Sequence, residues 1–243
     1  MDRRQFIGAA LACAGAVPAA AAGERLHIVT SNLPPLVVQG DVARHGALHE
    51  LVVALCQRLQ LVPEFEFVPW PRAQLLSTTR PATAIFPLTR QANREVKYRW
   101  LAPLYEENYV FMAPLEGRFE ILSPARMKMQ RVAILRGAGQ LVILHELGYS
   151  RILEAGTVEE VHRFVVNGMA DAVFGERNII LRSLRSRGVE NDFVLSAPVR
   201  TTTAWLAGSQ DFDAATAARF GQAMEGLKAE GLPERLLKKY DLV

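Results

Sequence analysis

The 243-residue sequence holds two cysteines, Cys13 and Cys56, too few for a disulfide framework. It has no dense Lys/Arg tract. Its 28 basic residues are spread among 25 acidic ones, for a net charge of +3. Charge therefore gives no support to a nucleic-acid or membrane-surface partner. After the first residues, no apolar run is long enough to span a bilayer. There is no internal repeat of about 20–50 residues, and no low-complexity stretch beyond the alanines near the start. Half of the residues are apolar and 22% are charged, which excludes wholesale disorder, collagen-like sequence and a coiled-coil rod. The length suits one large domain or two small lobes.

The first 22 residues have the form of an export signal. Arg3 and Arg4 supply its charge, and Phe6 to Val17 its apolar segment. Ala20, Ala21 and Ala22 supply the small residues for cleavage before Gly23. Arg3-Arg4-Gln5-Phe6-Ile7 has the pattern of a twin-arginine signal, with an ordinary secretory signal as the other reading. Leu11-Ala12-Cys13 hints at a lipoprotein box, although Ala10 stands where leucine is expected. Processing would leave Cys56 alone, without an internal disulfide. The expected location is the bacterial periplasm.

Strand and helix patterns then alternate. Strands are expected at Leu26–Thr30, Glu64–Val68, Ala82–Phe86 and Tyr109–Met112, then at Arg131–Leu135, Ile152–Glu154, Asp171–Phe174, Phe193–Leu195 and Thr201–Leu206. A helix is expected over Gly46–Leu59, where Leu48, Leu51, Val52, Leu55 and Leu59 recur at three and four residues. That spacing turns Cys56 to the core as a small hydrophobe. Thr157 and Glu160 form a capping box ahead of a helix ending at Asn167-Gly168. Another helix is expected to open at Asp211 and to carry Phe220, Met224 and Leu227 on one face. Alternating strands and helices argue an α/β fold with parallel βαβ units.

Motif tests mostly fail. Gly137-Ala138-Gly139 follows a strand and opens a helix, but Val142 stands where a dinucleotide loop needs glycine. There is no phosphate loop and no Gly-x-Ser-x-Gly. His45 and His49 lack an identifiable third ligand and read as solvated, as does His145, so no metal or cofactor is expected. Three positions remain. The Gly137–Gln140 turn offers backbone N–H groups to an anion, or is merely a turn that needs glycine. Arg94, across the Pro87-Leu88-Thr89 loop, forks onto a carboxylate or sits solvated beside Glu95. Glu176, just past a strand, accepts an ammonium or caps the next helix.

This order of elements resembles bacterial extracellular solute-binding protein family 3, the amino-acid-binding group of type II periplasmic binding proteins. The likeness runs over nearly all of residues 25–243. It rests on Leu26–Thr30 with Pro35, and on Gly46–Glu50. It rests also on Phe86–Arg94 with Trp100-Leu101-Ala102-Pro103-Leu104-Tyr105, on Arg131–Gly137 and on Ala170–Glu176. The resemblance implies a two-lobed fold, each lobe a mixed, mostly parallel sheet flanked by helices. Lobe 1 would hold residues 24–112 plus 203–243 and lobe 2 residues 113–202, with hinges near Ala113-Pro114 and Ala197–Thr201. It implies that Arg94 grips a ligand carboxylate, that Thr89 touches the ligand, and that Gly137, Ala138 and Gly139 donate from the second lobe. Glu176 would hold an α-ammonium, with Trp70 or Arg72 at the pocket wall; core packing is the other reading of Trp70. Leu33 replaces a usual aromatic, Glu176 a usual Asp, and Arg90 adds a cation that, with Arg72, would suit a second ligand carboxylate. The implied function is capture of an amino acid or related carboxylate by a monomer and delivery to an ABC-type permease. An enzyme on this fold, like cyclohexadienyl dehydratase, and a sensing accessory protein are the alternatives.

Overall fold

The computed structural model describes residues 24–40, 43–117 and 127–242. The expected export signal and Cys13 lie outside them. Nine strands form one mixed sheet: β1 (Arg25–Thr30), β2 (Val62–Phe67), β3 (Thr83–Thr89), β4 (Arg99–Pro114), β5 (Val132–Leu135), β6 (Ile152–Ala155), β7 (Ala172–Glu176), β8 (Phe193–Leu195) and β9 (Arg200–Gly208). The spatial order is β2-β1-β3-β9-β4-β7-β5-β6, with β8 on β4. Strands β2, β1 and β3 are parallel, as are β6, β5 and β7. The antiparallel pairs β3–β9, β9–β4 and β4–β7 join the two parallel sets.

Strand β4 carries the connection. From Arg99 to Tyr109 it pairs with β9, from Tyr109 to Met112 with β7, and from Met112 to Pro114 with β8. The apolar clusters divide at the same place. Two are drawn from residues 26–105 and 204–236, and the other two from residues 109–184. The molecule thus has two packed halves, and β4 and β9 run between them near Glu106–Tyr109 and Arg200–Thr203. Ala113-Pro114 is the end of β4, inside the second half. Sequence reading starts this strand late, at Tyr109, because Pro103, Glu106, Glu107 and Asn108 interrupt its apolar pattern.

Seven helices flank the sheet among the described residues: α1 (Ala47–Arg58), α2 (Trp70–Thr79), α3 (Gln140–Glu146), α4 (Val158–Val166), α5 (Arg177–Arg187), α6 (Ala214–Ala229) and α7 (Leu232–Lys239). Helix α1 follows Gly46, whose φ of 98° suits glycine. A Cβ there would meet the Leu36 carbonyl oxygen at 2.5 Å. Cys56 is fully buried, and burial pushes its thiol up to about 12. Helix α2 tolerates Pro71 because early helical N–H groups need no intrahelical acceptor. In α4 the Thr157 hydroxyl accepts from the Glu160 N–H at 3.1 Å, while the Glu160 carboxylate accepts from Gly156 N–H at 2.7 Å.

Two expectations are corrected. Helix α6 is capped by Asp213, not opened by Asp211. Asp211 instead accepts the Ala82 N–H at 2.7 Å and anchors the start of β3. His49 is buried rather than solvated, with its ring 4.8 Å from that of His45 and 4.1 Å from that of Phe65. Burial lowers its pKa to about 4, so it stays neutral at pH 7.

Candidate functional site

Switch-point logic places a site where strand ends of the two halves face each other. Strands β3 and β7 end there at Thr89 and Glu176, and β5 leads into the Gly137 turn. Thr89 is buried as the last residue of β3, which continues through Pro87 with a register shift against β9. Arg94 follows in a short 3-10 turn, also buried. Its guanidinium donates to Thr89 O at 2.9 Å, to Gln74 Oε1 at 3.1 Å and to Gly137 O at 3.2 Å. All three acceptors are neutral. Among the described residues no carboxylate pairs with Arg94 at ion-pair distance. Burial lowers its pKa from the ordinary arginine value, so the cation is held at a desolvation cost.

The Gly137 turn faces the first half with its carbonyls. Gly137 O accepts from Arg94 and, at 2.8 Å, from Gln74 Nε2; Gly139 O accepts from Gln91 Nε2 at 2.9 Å. Two of the expected donors are engaged within the second half. Gly137 N–H donates to Glu154 Oε2 at 3.3 Å, and Ala138 N–H to Leu135 O at 3.2 Å. The approach needs glycine at 137, where φ is 72° and a Cβ would lie 2.9 Å from Gln74 Nε2.

Glu176 ends β7 and caps α5, its Oε2 accepting Ile179 N–H at 2.8 Å. Its Oε1 accepts from the Tyr105 hydroxyl at 3.1 Å and from Asn178 Nδ2 at 3.4 Å. One carboxylate therefore caps a helix of the second half and holds a tyrosine of the first-half core cluster. Burial raises its pKa.

Trp70 is buried in the first-half core with Val29, Ile85 and Leu88. It also lines a 260 Å³ cavity with Ser31, Leu33 and Phe67 on one side and Leu135, Gly156 and Thr157 on the other. Its packing and pocket readings are compatible. A second cavity of 330 Å³ is bordered by Gln74, Gln91, Arg94 and Tyr98, with Gly137, Ala138 and Leu141 opposite. A third, of 280 Å³, lies beside Arg44, Arg182, Ser183 and Tyr240 and touches none of Thr89, Arg94 or Glu176.

Arg72 is exposed on α2. Arg90 is exposed just past the end of β3. It donates to Glu95 at 2.8 and 3.0 Å and stacks over Trp100 and Trp205 at 5.1 and 4.9 Å.

Sequence reasoning missed the centre of this network. Glu107 is buried, and its Oε2 accepts from Thr89 Oγ1 at 2.8 Å and Thr202 Oγ1 at 3.1 Å. Thr89 Oγ1 also lies 3.1 Å from the Tyr109 hydroxyl. Burial, chiefly, raises Glu107 to about 7; the nearby Glu176 adds to the rise and the threonine and tyrosine hydroxyls oppose it. The available signal was period-two alternation, which sets Glu107 inward with Tyr105 and Tyr109 and leaves Glu106 outside. Gln74, Gln91, Thr202 and Asn178 carried no motif.

The arrangement offers one buried cation without an anion, and two buried acids held by hydroxyl and amide donors. It has no group of three or more His, Cys, Asp or Glu placed to hold a metal among the described residues. Nor is any helix there long and apolar enough to cross a membrane.

No family model matches the sequence, and no curated protein does. Solved structures do match. A histidine kinase sensor domain with similarity to periplasmic binding proteins superposes with a TM-score of 0.80 at 17% identity, covering 90% of this chain and 96% of that one. An ABC uptake transporter substrate-binding protein from Streptococcus pneumoniae with bound histidine gives 0.77 at 15% identity, covering 89% and 92%. The ancestral amino-acid-binding protein AncCDT-1, a precursor of cyclohexadienyl dehydratase, gives 0.75 at 17% identity, covering 89% and 94%. At these identities the likeness speaks for architecture. With its mixed sheet, flanking helices and strand ends facing across a cleft, the chain has the α/β fold of the periplasmic binding proteins.

Proposed function

We propose that the protein captures a small polar solute, an amino acid or related carboxylate, between two lobes, and presents the loaded form to an ABC-type permease in the periplasm. The lobes are the two packed halves, and β4 and β9 form the hinge between them. The observation that carries this reading is Arg94. A buried guanidinium bonded only to neutral acceptors gains most from a charged, forked partner. A ligand carboxylate would take the place of Gly137 O on Arg94. Thr89 and the Gly137–Gly139 turn would add contacts from the two lobes, and Glu176 would receive an ammonium group. Only a closed form lets both lobes touch the ligand, so binding favours closure. A twin-arginine leader on residues 1–22 would deliver the chain to that compartment.

The experiment is a thermal-shift screen of the standard L-amino acids and small dicarboxylates, followed by calorimetry on the hits. A ligand that binds only the folded state raises the unfolding temperature by mass action. Absence of any shift, with no binding by calorimetry, overturns the reading. The likeness to a histidine kinase sensor domain supports a second reading, in which the same closure reports ligand to a receptor rather than to a permease.

A further inference from the structure

Thr89 has one O–H proton, and its hydroxyl lies between Glu107 and the Tyr109 hydroxyl. On one side is Glu107 Oε2 at 2.8 Å, which also takes the Thr202 hydroxyl at 3.1 Å. On the other is the Tyr109 hydroxyl at 3.1 Å, while the backbone carbonyl of Thr89 holds the Arg94 guanidinium at 2.9 Å. When Glu107 is ionised, Oε2 carries no proton, both threonines donate to it, and the Thr89 donor is consumed. When Oε2 is protonated, its O–H donates to Thr89 Oγ1 while Oε2 still accepts from Thr202. The Thr89 proton is then freed from Glu107, and a ligand carboxylate, the stronger acceptor, can take it in preference to the Tyr109 hydroxyl.

On the solute-capture reading above, we infer that Glu107 is a positioning residue whose protonation sets whether the Thr89 hydroxyl is free to bind a ligand carboxylate beside Arg94, so that capture is linked to uptake of a proton. The groups facing Glu107 are Thr89 on β3, Arg94 in the turn after it, Tyr105 and Tyr109 on β4, Thr202 on β9 and Glu176 on β7. Of these Arg94 favours the ionised form and Glu176 opposes it. Burial sides with Glu176 and raises Glu107 to about 7, which brings the exchange near neutral pH. An ionised Glu107 would also repel an arriving carboxylate, in the same direction as the lost donor.

The test has two arms. Infrared difference spectra of the ligand-free protein should show a protonated-carboxyl stretch that disappears as pH rises through about 7, and Glu107→Gln should remove that component. In calorimetry, any standard L-amino acid that binds at about pH 6 should weaken up to tenfold per pH unit above about 7 in the wild type. The Glu107→Gln profile should lose that slope, because the amide does not titrate. Equal slopes in the two proteins, a flat wild-type profile, or no titrating carboxyl band overturns the inference while solute capture stands. No binding by any of these amino acids at about pH 6 overturns capture, and the inference falls with it.

Discussion

Glu107→Gln should change how stability depends on pH in the absence of any ligand. The folded protein holds Glu107 at about 7, against an ordinary value of 4.5. Between those values the native state binds a proton that the unfolded chain has released. The contribution is therefore complete below about pH 4.5, declines as pH rises, and is gone above about pH 7. A pKa difference of one between folded and unfolded chain is worth about 1.4 kcal/mol, so the swing is about 3 kcal/mol. His49 and His162, both lowered to about 4 by burial, act with the opposite sign and add stability as pH rises toward about 6.5. The wild-type curve alone is thus a sum of opposing slopes. The difference between wild type and Glu107→Gln cancels both histidines, which remain in the variant, and leaves the Glu107 carboxyl with its coupling to Glu176. Urea unfolding at intervals between about pH 5 and about pH 8 supplies that difference. The variant should gain on the wild type by up to about 3 kcal/mol across the interval. Parallel curves would refute the reasoning, since they would mean that Glu107 is already ionised at pH 5 or equally perturbed in the unfolded chain.

Arg94→Ala should weaken a carboxylate ligand by about 3 kcal/mol or more, read by calorimetry, because a desolvated ligand charge loses its partner; unchanged affinity would refute the assignment. Glu176→Gln should weaken an amino-acid ligand far more than its deaminated analogue, and equal losses would leave Glu176 only its capping and Tyr105-holding roles. Tyr105→Phe should lower stability by about 1–3 kcal/mol in urea, since it removes a donor from the buried Glu176 carboxylate; a neutral result would mean that water replaces the hydroxyl. Replacing Arg3 and Arg4 together with Lys should abolish export by the twin-arginine route, and normal periplasmic yield of that variant would leave general secretion.

Local periodicity and local hydrogen bonding make part of this fold legible in the chain alone. Leu48, Leu51, Val52 and Leu55 repeat along one face, which is enough to give α1 and the burial of Cys56. Thr157 and Glu160 cap α4 within five residues, and Ala172–Phe174 is apolar enough to be a buried strand anywhere. Arg94 and Glu176 stood out because they follow strands, and strand ends are where α/β folds place their sites, whereas Thr89 came only from the family resemblance. The α2 and α7 helices were not legible, because Pro71 and Pro233 resemble breakers until their place in the first turn is known. Nor was the length of β4, whose polar middle, Glu106–Asn108, stays in the strand because it pairs with β9.

The character of the cleft comes instead from packing between distant segments. Glu106-Glu107 belongs to no motif in the sequence. Its second member is buried because Thr89 and Thr202, far apart in the chain, bring their hydroxyls to one carboxylate oxygen. Arg90 and Arg94 are both cations near one loop, yet Glu95 and two indoles hold the first at the surface while the turn buries the second. His49 is neutral because Phe65 from β2 lies against it, and Gly137 turns its carbonyl to Arg94 because Glu154 holds its N–H. The burial of Glu107 and of His49 depends on a desolvation cost and on partners distant in sequence. Neither exists until the strands and helices pack, and so neither can be read from the residues around the site.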